Sequence, residues 1–86
     1  MGLNQTFKAL SAPTRRKILK LLKKRDMSAG EIAGYFKISL PSLSHHFNSL
    51  KSADLVTVRR DGQQQIYSLK ISVFEEIVNE YFKYFK

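Results

Sequence analysis

Four small polar side chains in the middle of the chain could form hydrogen bonds with the edges of DNA bases. They are Ser42, Ser44, His45 and Asn48, and none of them carries a negative charge that would repel phosphate. Asn can bond adenine through two hydrogen bonds, Ser can address several bases, and His can donate to guanine N7 or to a phosphate. An ordinary solvated helix face has the same composition, so the elements that position these side chains decide between the two.

Signals for a short helix come before these residues. Ser28 and Glu31 have the spacing of a capping box. Met27 and Ile32 occupy the two positions of a hydrophobic staple around the same helix start. The pattern therefore predicts a helix that begins after Ser28 and ends near Phe36.

A second helix is predicted after only three residues, Lys37-Ile38-Ser39. Ser39 is the expected N-cap, Pro41 suits the first turn, and the helix continues to about Ala53. Its buried stripe consists of Leu43, Phe47 and Leu50. Two helices joined by a three-residue turn match a helix-turn-helix, whose second helix enters the major groove of DNA. This setting favours DNA contact for the residues at positions 42, 44, 45 and 48, which face away from the core.

Two extended runs, Leu55–Arg60 and Gln63–Leu69, follow this helix and are separated by Asp61-Gly62. Asp-Gly between such runs predicts a β-hairpin with a type I′ turn, because Gly tolerates the positive φ that this turn requires. A hairpin directly after a helix-turn-helix is a wing.

The tip of this wing is basic. Arg59 and Arg60 precede the turn, and Gln63 follows it. Arginine that enters a narrow minor groove or bonds a phosphate accounts for such a tip. Successive strand residues alternate faces, so we expect one of the two arginines to make the closer contact. We also expect Lys51, near the end of the preceding helix, to contact the DNA backbone.

Two more helices are predicted before the helix-turn-helix. The first has an apolar face made of Leu3, Phe7 and Leu10. The second begins at Pro13, with Ser11 as its cap, and continues to about Lys24. Seven cations in or directly after this helix are expected to face outward: Arg15, Arg16, Lys17, Lys20, Lys23, Lys24 and Arg25. Of these, we expect Arg15 and Arg16 to contact the DNA backbone.

The overall charge agrees with a polyanionic partner without requiring one. The 86 residues carry a formal net charge of +8 at pH 7. A charge of this size favours a nucleic acid as partner. A solvated helix face that keeps the protein soluble accounts for the same charge equally well.

The last predicted helix has an apolar stripe that one small domain cannot easily cover. It opens with a second capping box, Ser72 and Glu75. The stripe consists of Phe74, Ile77, Val78, Tyr81, Phe82 and Phe85. A helix lying on a membrane surface prefers a lysine-rich polar face, whereas this one opens with acids. We therefore expect a homodimer in which this stripe forms the interface.

Other classes of protein fit the sequence less well. Ser44, His45 and Asp54 do not make a catalytic triad, because neighbours on one helix diverge and no G-x-S-x-G elbow is present. His45 and His46 point about 100° apart on a helix and cannot chelate one metal, and the chain has no cysteine. We therefore expect that the protein is not an enzyme and that it has no cofactor, metal ion or small-molecule substrate. No apolar run is long enough for a signal peptide or membrane span, so a cytoplasmic protein is expected.

Taken together, the motifs resemble the ArsR-type winged-helix repressors. The segments that carry the resemblance are residues 9–19 (ALSAPTRRKIL), 39–47 (SLPSLSHHF), 53–56 (ADLV), 59–63 (RRDGQ) and 66–69 (IYSL). These segments lie between residues 9 and 69, and the resemblance extends over nearly the whole chain. It agrees with the length and the predicted elements, which give a single domain, residues 1–86, that is mainly α with a β-hairpin, in the order α-α-α-α-β-β-α. The resemblance further implies a repressor that binds an imperfect palindromic operator near its own promoter, with its first helix, through Leu3 and Phe7, and its last helix in the dimer interface. A winged-helix protein-interaction module without sequence-specific DNA binding is the alternative.

Two departures from the family pattern refine this resemblance. Ala12 stands where the family usually has an acid, so Ser11 has to cap the second helix in its place. The cysteine pair of metal-sensing members is absent near the third helix, and so is their His and acid ligand set on the last helix. The chain is similar to the small non-sensing autorepressors of killing-factor operons, and for some of these a membrane immunity protein acts as anti-repressor.

Overall fold

The computed structural model describes residues 3–70 and residues 75, 79, 80 and 83, and these last four are helical. The elements of residues 3–70 are α1 (Leu3–Leu10), α2 (Pro13–Lys24), β1 (Met27–Ser28), α3 (Ala29–Ala33), α4 (Leu40–Ser52), β2 (Val56–Asp61) and β3 (Gln64–Leu69). This order confirms the mainly helical, winged architecture that the sequence predicts. It also contains one short strand, β1, that the sequence pattern did not predict.

The start of α3 is fixed by the predicted capping box. Ser28 Oγ accepts a hydrogen bond from the amide of Glu31, and a Glu31 carboxylate oxygen accepts one from the amide of Ser28, both at 3.1 Å. α3 ends at Ala33 and not near Phe36, because the amides of Tyr35 and Phe36 bond carbonyls only three residues back. These tighter bonds make the last turn 3₁₀-like and begin the turn towards α4.

The start of α2 differs from the expectation for Ser11. Its N-cap is Ala12, which offers no side-chain hydrogen bond. The hydroxyl of Ser11 donates instead to the Lys8 carbonyl, at 2.6 Å, and so satisfies a carbonyl at the end of α1. Pro13 is the first residue of α2, as predicted, where the absence of an amide proton costs nothing.

The three strands form one antiparallel sheet with β3 in the centre, in the order β1-β3-β2. Asp61 pairs with Gln64, so the hairpin loop consists of Gly62-Gln63 and begins one residue later than the sequence pattern indicates. Of these two residues only Gly62 has a positive φ, of 64°. This is the pattern of a type II′ turn, with Gly in the first central position, so the expected type I′ turn is wrong.

The core lies between the helices and the inner face of this sheet. Ile18, Ile32, Leu50 and Leu55 are completely buried. The ring of Phe47, on α4, stacks on the ring of Tyr67, on β3, with centroids 4.4 Å apart. This contact fixes the buried side of α4 against the sheet and leaves its opposite side in solvent.

The turn from α4 into β2 sets the position of the wing relative to α4. Asp54 has a left-handed backbone, with φ of 61°. Its amide bonds the Lys51 carbonyl, and the amide of Leu55 bonds the Leu50 carbonyl, both at 3.0 Å, which is a Schellman ending. Lys70, directly after β3, forms an ion pair of 2.7 Å with the Asp54 carboxylate. Both ends of the wing are therefore held at the end of α4.

Candidate nucleic-acid interface

The outer face of α4 presents the predicted polar side chains to solvent. Ser39 caps the helix by accepting the amide of Ser42 at 3.2 Å. Leu43, Phe47 and Leu50 are buried, as their helical spacing predicts. Because these three residues hold one side of α4 in the core, Ser44, His45, Asn48 and Lys51 project from the other side, and all four are exposed. Their contacts with DNA remain a prediction.

Ser42 is exposed as well, but its hydroxyl already has a partner. Ser39 Oγ donates to Ser42 Oγ at 3.0 Å, in addition to accepting the Ser42 amide. The Ser42 hydroxyl can still donate one hydrogen bond outward. The Ser42 hydroxyl is therefore less free to form new hydrogen bonds than that of Ser44, whose side chain makes no such capping contact among the described residues.

The two wing arginines have different surroundings. One guanidinium nitrogen of Arg59 lies 2.9 Å from the Asp26 carboxylate and donates to Ser68 Oγ at 3.2 Å. Hydrogen bonding by Arg59 and then Ser68 lowers the pKa of Asp26, so the carboxylate stays charged. Arg60 is exposed, and within the described part of the chain its side chain donates only to the Gly62 carbonyl, at 3.2 Å. The guanidinium of Arg60 is thus available for a phosphate contact. The guanidinium of Arg59 instead connects strand β2 of the wing to Asp26, in the segment between α2 and β1.

The expectation that Arg15 faces outward with the other cations of α2 is wrong. Its residue is only 8% exposed. Its Nε donates to the Ala9 carbonyl at 2.7 Å, and its two terminal nitrogens lie 3.0 Å from the Lys8 carbonyl and 3.1 Å from His46 Nδ1. Arg15 therefore joins the end of α1 to α4 from inside the chain. Arg16 is exposed, as expected, and donates to the Leu10 carbonyl at 2.8 Å.

His46 is half-buried on α4, where its Nδ1 lies beside the guanidinium of Arg15. Burial lowers its pKa most, and the nearby Arg15 and His45 lower it further. A neutral imidazole follows at pH 7. Because arginine can only donate, Nδ1 of His46 accepts from Arg15, and the ring proton lies on Nε2.

A groove of about 360 Å³ runs beside the exposed face of α4. Its walls include Ala29 and Ala33 of α3, Leu40 and Asn48 of α4, and Gln65 of β3. Sequence reasoning missed Leu40 and Gln65. Leu40 stands three residues before Leu43 and four before Ser44, so its helical position could have placed it at the edge of this face.

Most of the predicted dimer interface lies outside the described residues: Phe74, Ile77, Val78, Tyr81, Phe82 and Phe85, together with the side chain of Leu3. The remaining member, Phe7, lies on α1 and is 55% exposed. Among the described side chains of α1, those of Thr6 and Ala9 are buried. Phe7 thus points away from the core of its own chain.

The geometry defines a class of protein. A capped helix, a tight turn and a second helix with an exposed polar face are followed by an antiparallel hairpin with a cationic tip, and this is a winged helix-turn-helix. Among the described residues, no three His, Cys, Asp or Glu side chains lie close enough together to hold a metal ion. No helix in the described ranges is long and apolar enough to cross a membrane.

Comparison with known proteins gives the family. Residues 12–58 match the model of the bacterial regulatory protein, arsR family. The chain is 53% identical to the transcriptional repressor SdpR of Bacillus subtilis (strain 168), over 90% of this chain and 86% of SdpR. It is 37% identical to the arsenical resistance operon repressor of Staphylococcus aureus, over 88% of this chain and 73% of that protein. The solved structure of an ArsR-like transcriptional regulator from Rhodococcus sp. RHA1 superposes with a TM-score of 0.85 at 27% identity, covering 94% of this chain and 74% of that one.

The chain therefore belongs to the ArsR family, and the resemblance predicted from its motifs is confirmed. It is a DNA-binding regulator of transcription and not an enzyme. DNA is accordingly its partner.

The different surroundings of the wing arginines predict different effects on DNA binding. Arg60→Ala should weaken binding to any duplex and lower the slope of log affinity against log salt by roughly one unit, because one phosphate contact is lost. Arg59→Ala should leave this slope close to the parent's, because its guanidinium is held by Asp26. Binding isotherms over a salt series for the two variants make the comparison. Equal loss of slope in both would contradict the separate roles.

Proposed function

We propose that this protein is a homodimeric transcriptional repressor that binds an imperfect palindromic operator near its own gene. The observation that carries the proposal is the exposed outer face of α4, where Ser44, His45 and Asn48 project hydrogen-bonding groups into solvent. In a helix-turn-helix this part of the second helix lies against base edges in the major groove. Two of the relatives are named as repressors, which supports repression over activation.

The residues divide into two groups under this proposal. Base edges are read by Ser42, Ser44, His45 and Asn48. The DNA backbone is contacted by Arg16, Lys51, Arg60 and Gln63. Arg59 acts through the wing that it braces, and Arg15 acts from the interior. Specificity then depends on the first group, and the salt-dependent part of the affinity depends on the second.

A second copy of the chain completes the DNA-binding unit in this proposal. Phe7 is exposed on α1, and burying an aromatic side chain of this kind contributes about 1.5–3 kcal/mol. Two recognition helices related by a two-fold axis would meet successive major grooves, which gives the operator its palindromic form. We place the protein in the cytoplasm, as one domain over residues 1–86. We further propose that a membrane immunity protein acts as anti-repressor and that no metal ion acts as inducer.

Base reading by α4 predicts a loss of specificity when its polar groups are removed. Asn48→Ala and His45→Ala should each weaken binding to the operator by about 1–3 kcal/mol, with a much smaller effect on scrambled duplex. The measurement is a set of binding isotherms on DNA from upstream of the protein's own gene and on a scrambled duplex of the same length.

A matched control is Gln5→Ala, because Gln5 is an exposed carboxamide on α1 and, two residues from both Leu3 and Phe7, lies on another side of the helix from the proposed dimer interface. It should bind both duplexes like the parent. If the Asn48 and His45 variants also bind both like the parent, α4 is not the reading element. If the parent itself prefers neither duplex at any salt concentration, the protein-interaction alternative replaces the proposal.

A further inference from the structure

Leu40 is the most exposed large apolar side chain among the described residues, at 71%. It is the first residue of α4, where Ser39 already supplies the cap and Pro41 the favoured first-turn residue. The helix start therefore does not require a leucine. A single exposed leucine is common on protein surfaces, so exposure alone does not indicate a function. The inference depends on where Leu40 lies.

That position is on the proposed reading face. Leu40, Ser44 and Asn48 follow one another at intervals of four residues, which places them on the same side of α4. All three line the groove of about 360 Å³ beside α3 and β3, together with Lys51 and Gln65. The leucine thus continues a row of polar side chains towards the N-terminal end of the helix.

The chemistry of the major groove offers one good partner for such a side chain. The N-terminal residues of a recognition helix are those that contact base edges. Leucine has no hydrogen-bonding group, and the apolar feature of the major-groove edge is the C5-methyl group of thymine. Cytosine lacks this methyl group, so an apolar contact separates the two pyrimidines.

We propose that Leu40 is a specificity-determining residue that reads one thymine in each half of the binding site by contact with its C5-methyl group. This inference rests on the proposed function. It adds to the four polar readers a position at which the base is chosen by apolar contact and not by a hydrogen bond.

The test removes the methyl group alone. Binding sites are first selected with the parent protein from random duplex DNA, and each thymine of the selected site is then replaced by deoxyuridine in turn. At one thymine per half-site, deoxyuridine should weaken binding by the parent by about fourfold, which is the effect of losing one buried methyl group. Replacement in both halves should give roughly sixteenfold, since distant sites add in free energy.

The variant Leu40→Ala should bind the thymine and deoxyuridine duplexes equally well at that position. Ile38→Ala is the matched control, because Ile38 is also an exposed aliphatic residue, at 40%, but lies in the turn before α4. It should retain the fourfold preference of the parent. Circular dichroism should show equal helix content in all three proteins, because Leu40 has little packing to lose.

Three results overturn the proposal. The first is a parent that is insensitive to deoxyuridine at every thymine while it still binds the selected site, which leaves the proposed function standing. The second is a Leu40→Ala variant that keeps the full preference. The third is a selection that enriches no sequence, and in that case sequence-specific binding and the role of Leu40 fail together.

Discussion

Arg15→Ala will lower the free energy of unfolding by about 2–4 kcal/mol, which is a large part of the stability of a small domain. The substitution removes a buried guanidinium that bonds two backbone carbonyls and His46 Nδ1. The Lys8 and Ala9 carbonyls would then lack these donors at the end of α1. Chemical denaturation at one fixed protein concentration measures the loss, because association also contributes to the apparent stability.

Arg16→Ala is the control for Arg15, because it removes the neighbouring arginine of the same helix. Arg16 is exposed, so its loss should change stability by only about 0.5 kcal/mol or less. Arg15→Lys keeps the charge but cannot bond three acceptors in one plane, so its stability should lie between the parent and Arg15→Ala. A phosphate-contacting Arg15 would give the reverse result, with unchanged stability and a lower salt slope.

The double substitution Tyr81→Glu with Phe82→Glu will convert the proposed dimer into monomers. On the sequence pattern, three large apolar side chains per subunit would contribute on the order of 10–18 kcal/mol of gross burial at the interface. Charged residues at two of these positions remove that gain and introduce repulsion between the copies. Operator affinity should fall by on the order of 100-fold or more, because the two recognition helices would no longer bind as one unit.

A charge-matched control separates this effect from the change in net charge. Asn79 and Lys83 are both exposed. Asn79→Glu with Lys83→Gln lowers the net charge by the same amount as the two glutamates, and it should leave the dimer intact. Sedimentation equilibrium determines the oligomeric state of both variants. A Tyr81→Glu, Phe82→Glu protein that sediments as a dimer would place the interface elsewhere.

The local signals of the sequence predicted the caps of α3 and α4 but not the start of α2, where Ser11 does not serve as the cap. Ser28, Glu31 and Ser39 act within three residues of their partners, so their roles follow from spacing alone. The turn type was wrong because strand pairing extends to Asp61 and Gln64, which moves the loop by one residue. A one-residue shift is below what propensities resolve, since element boundaries are the least certain part of such predictions.

For Arg15, the prediction of exposure that was based on its charge is wrong, whereas the helical periodicity of α2 predicts a buried position. Its position relative to Ile18, Leu19 and Leu22 is i, i+3, i+4 and i+7, which is the spacing of a single buried face. The sequence analysis grouped Arg15 with six other cations and predicted that it is exposed. In the structure it is buried, together with Ile18 and Leu19. One of the three partners of its guanidinium, His46, comes from a distant segment, and no local pattern predicts that contact.

β1 has a consequence for the order in which the chain folds. The helices form from contacts between near neighbours, and the hairpin β2–β3 closes over two residues. The pairing of Met27 with Tyr67 instead closes a loop of roughly 40 residues, at a larger cost in chain entropy. It can form only after β3 has docked, so we expect it to appear late and to open early. The amide of Met27 should then exchange with deuterium faster than those of Leu50 and Leu55. The formation of this strand marks the step at which the wing and the helix-turn-helix become one rigid unit.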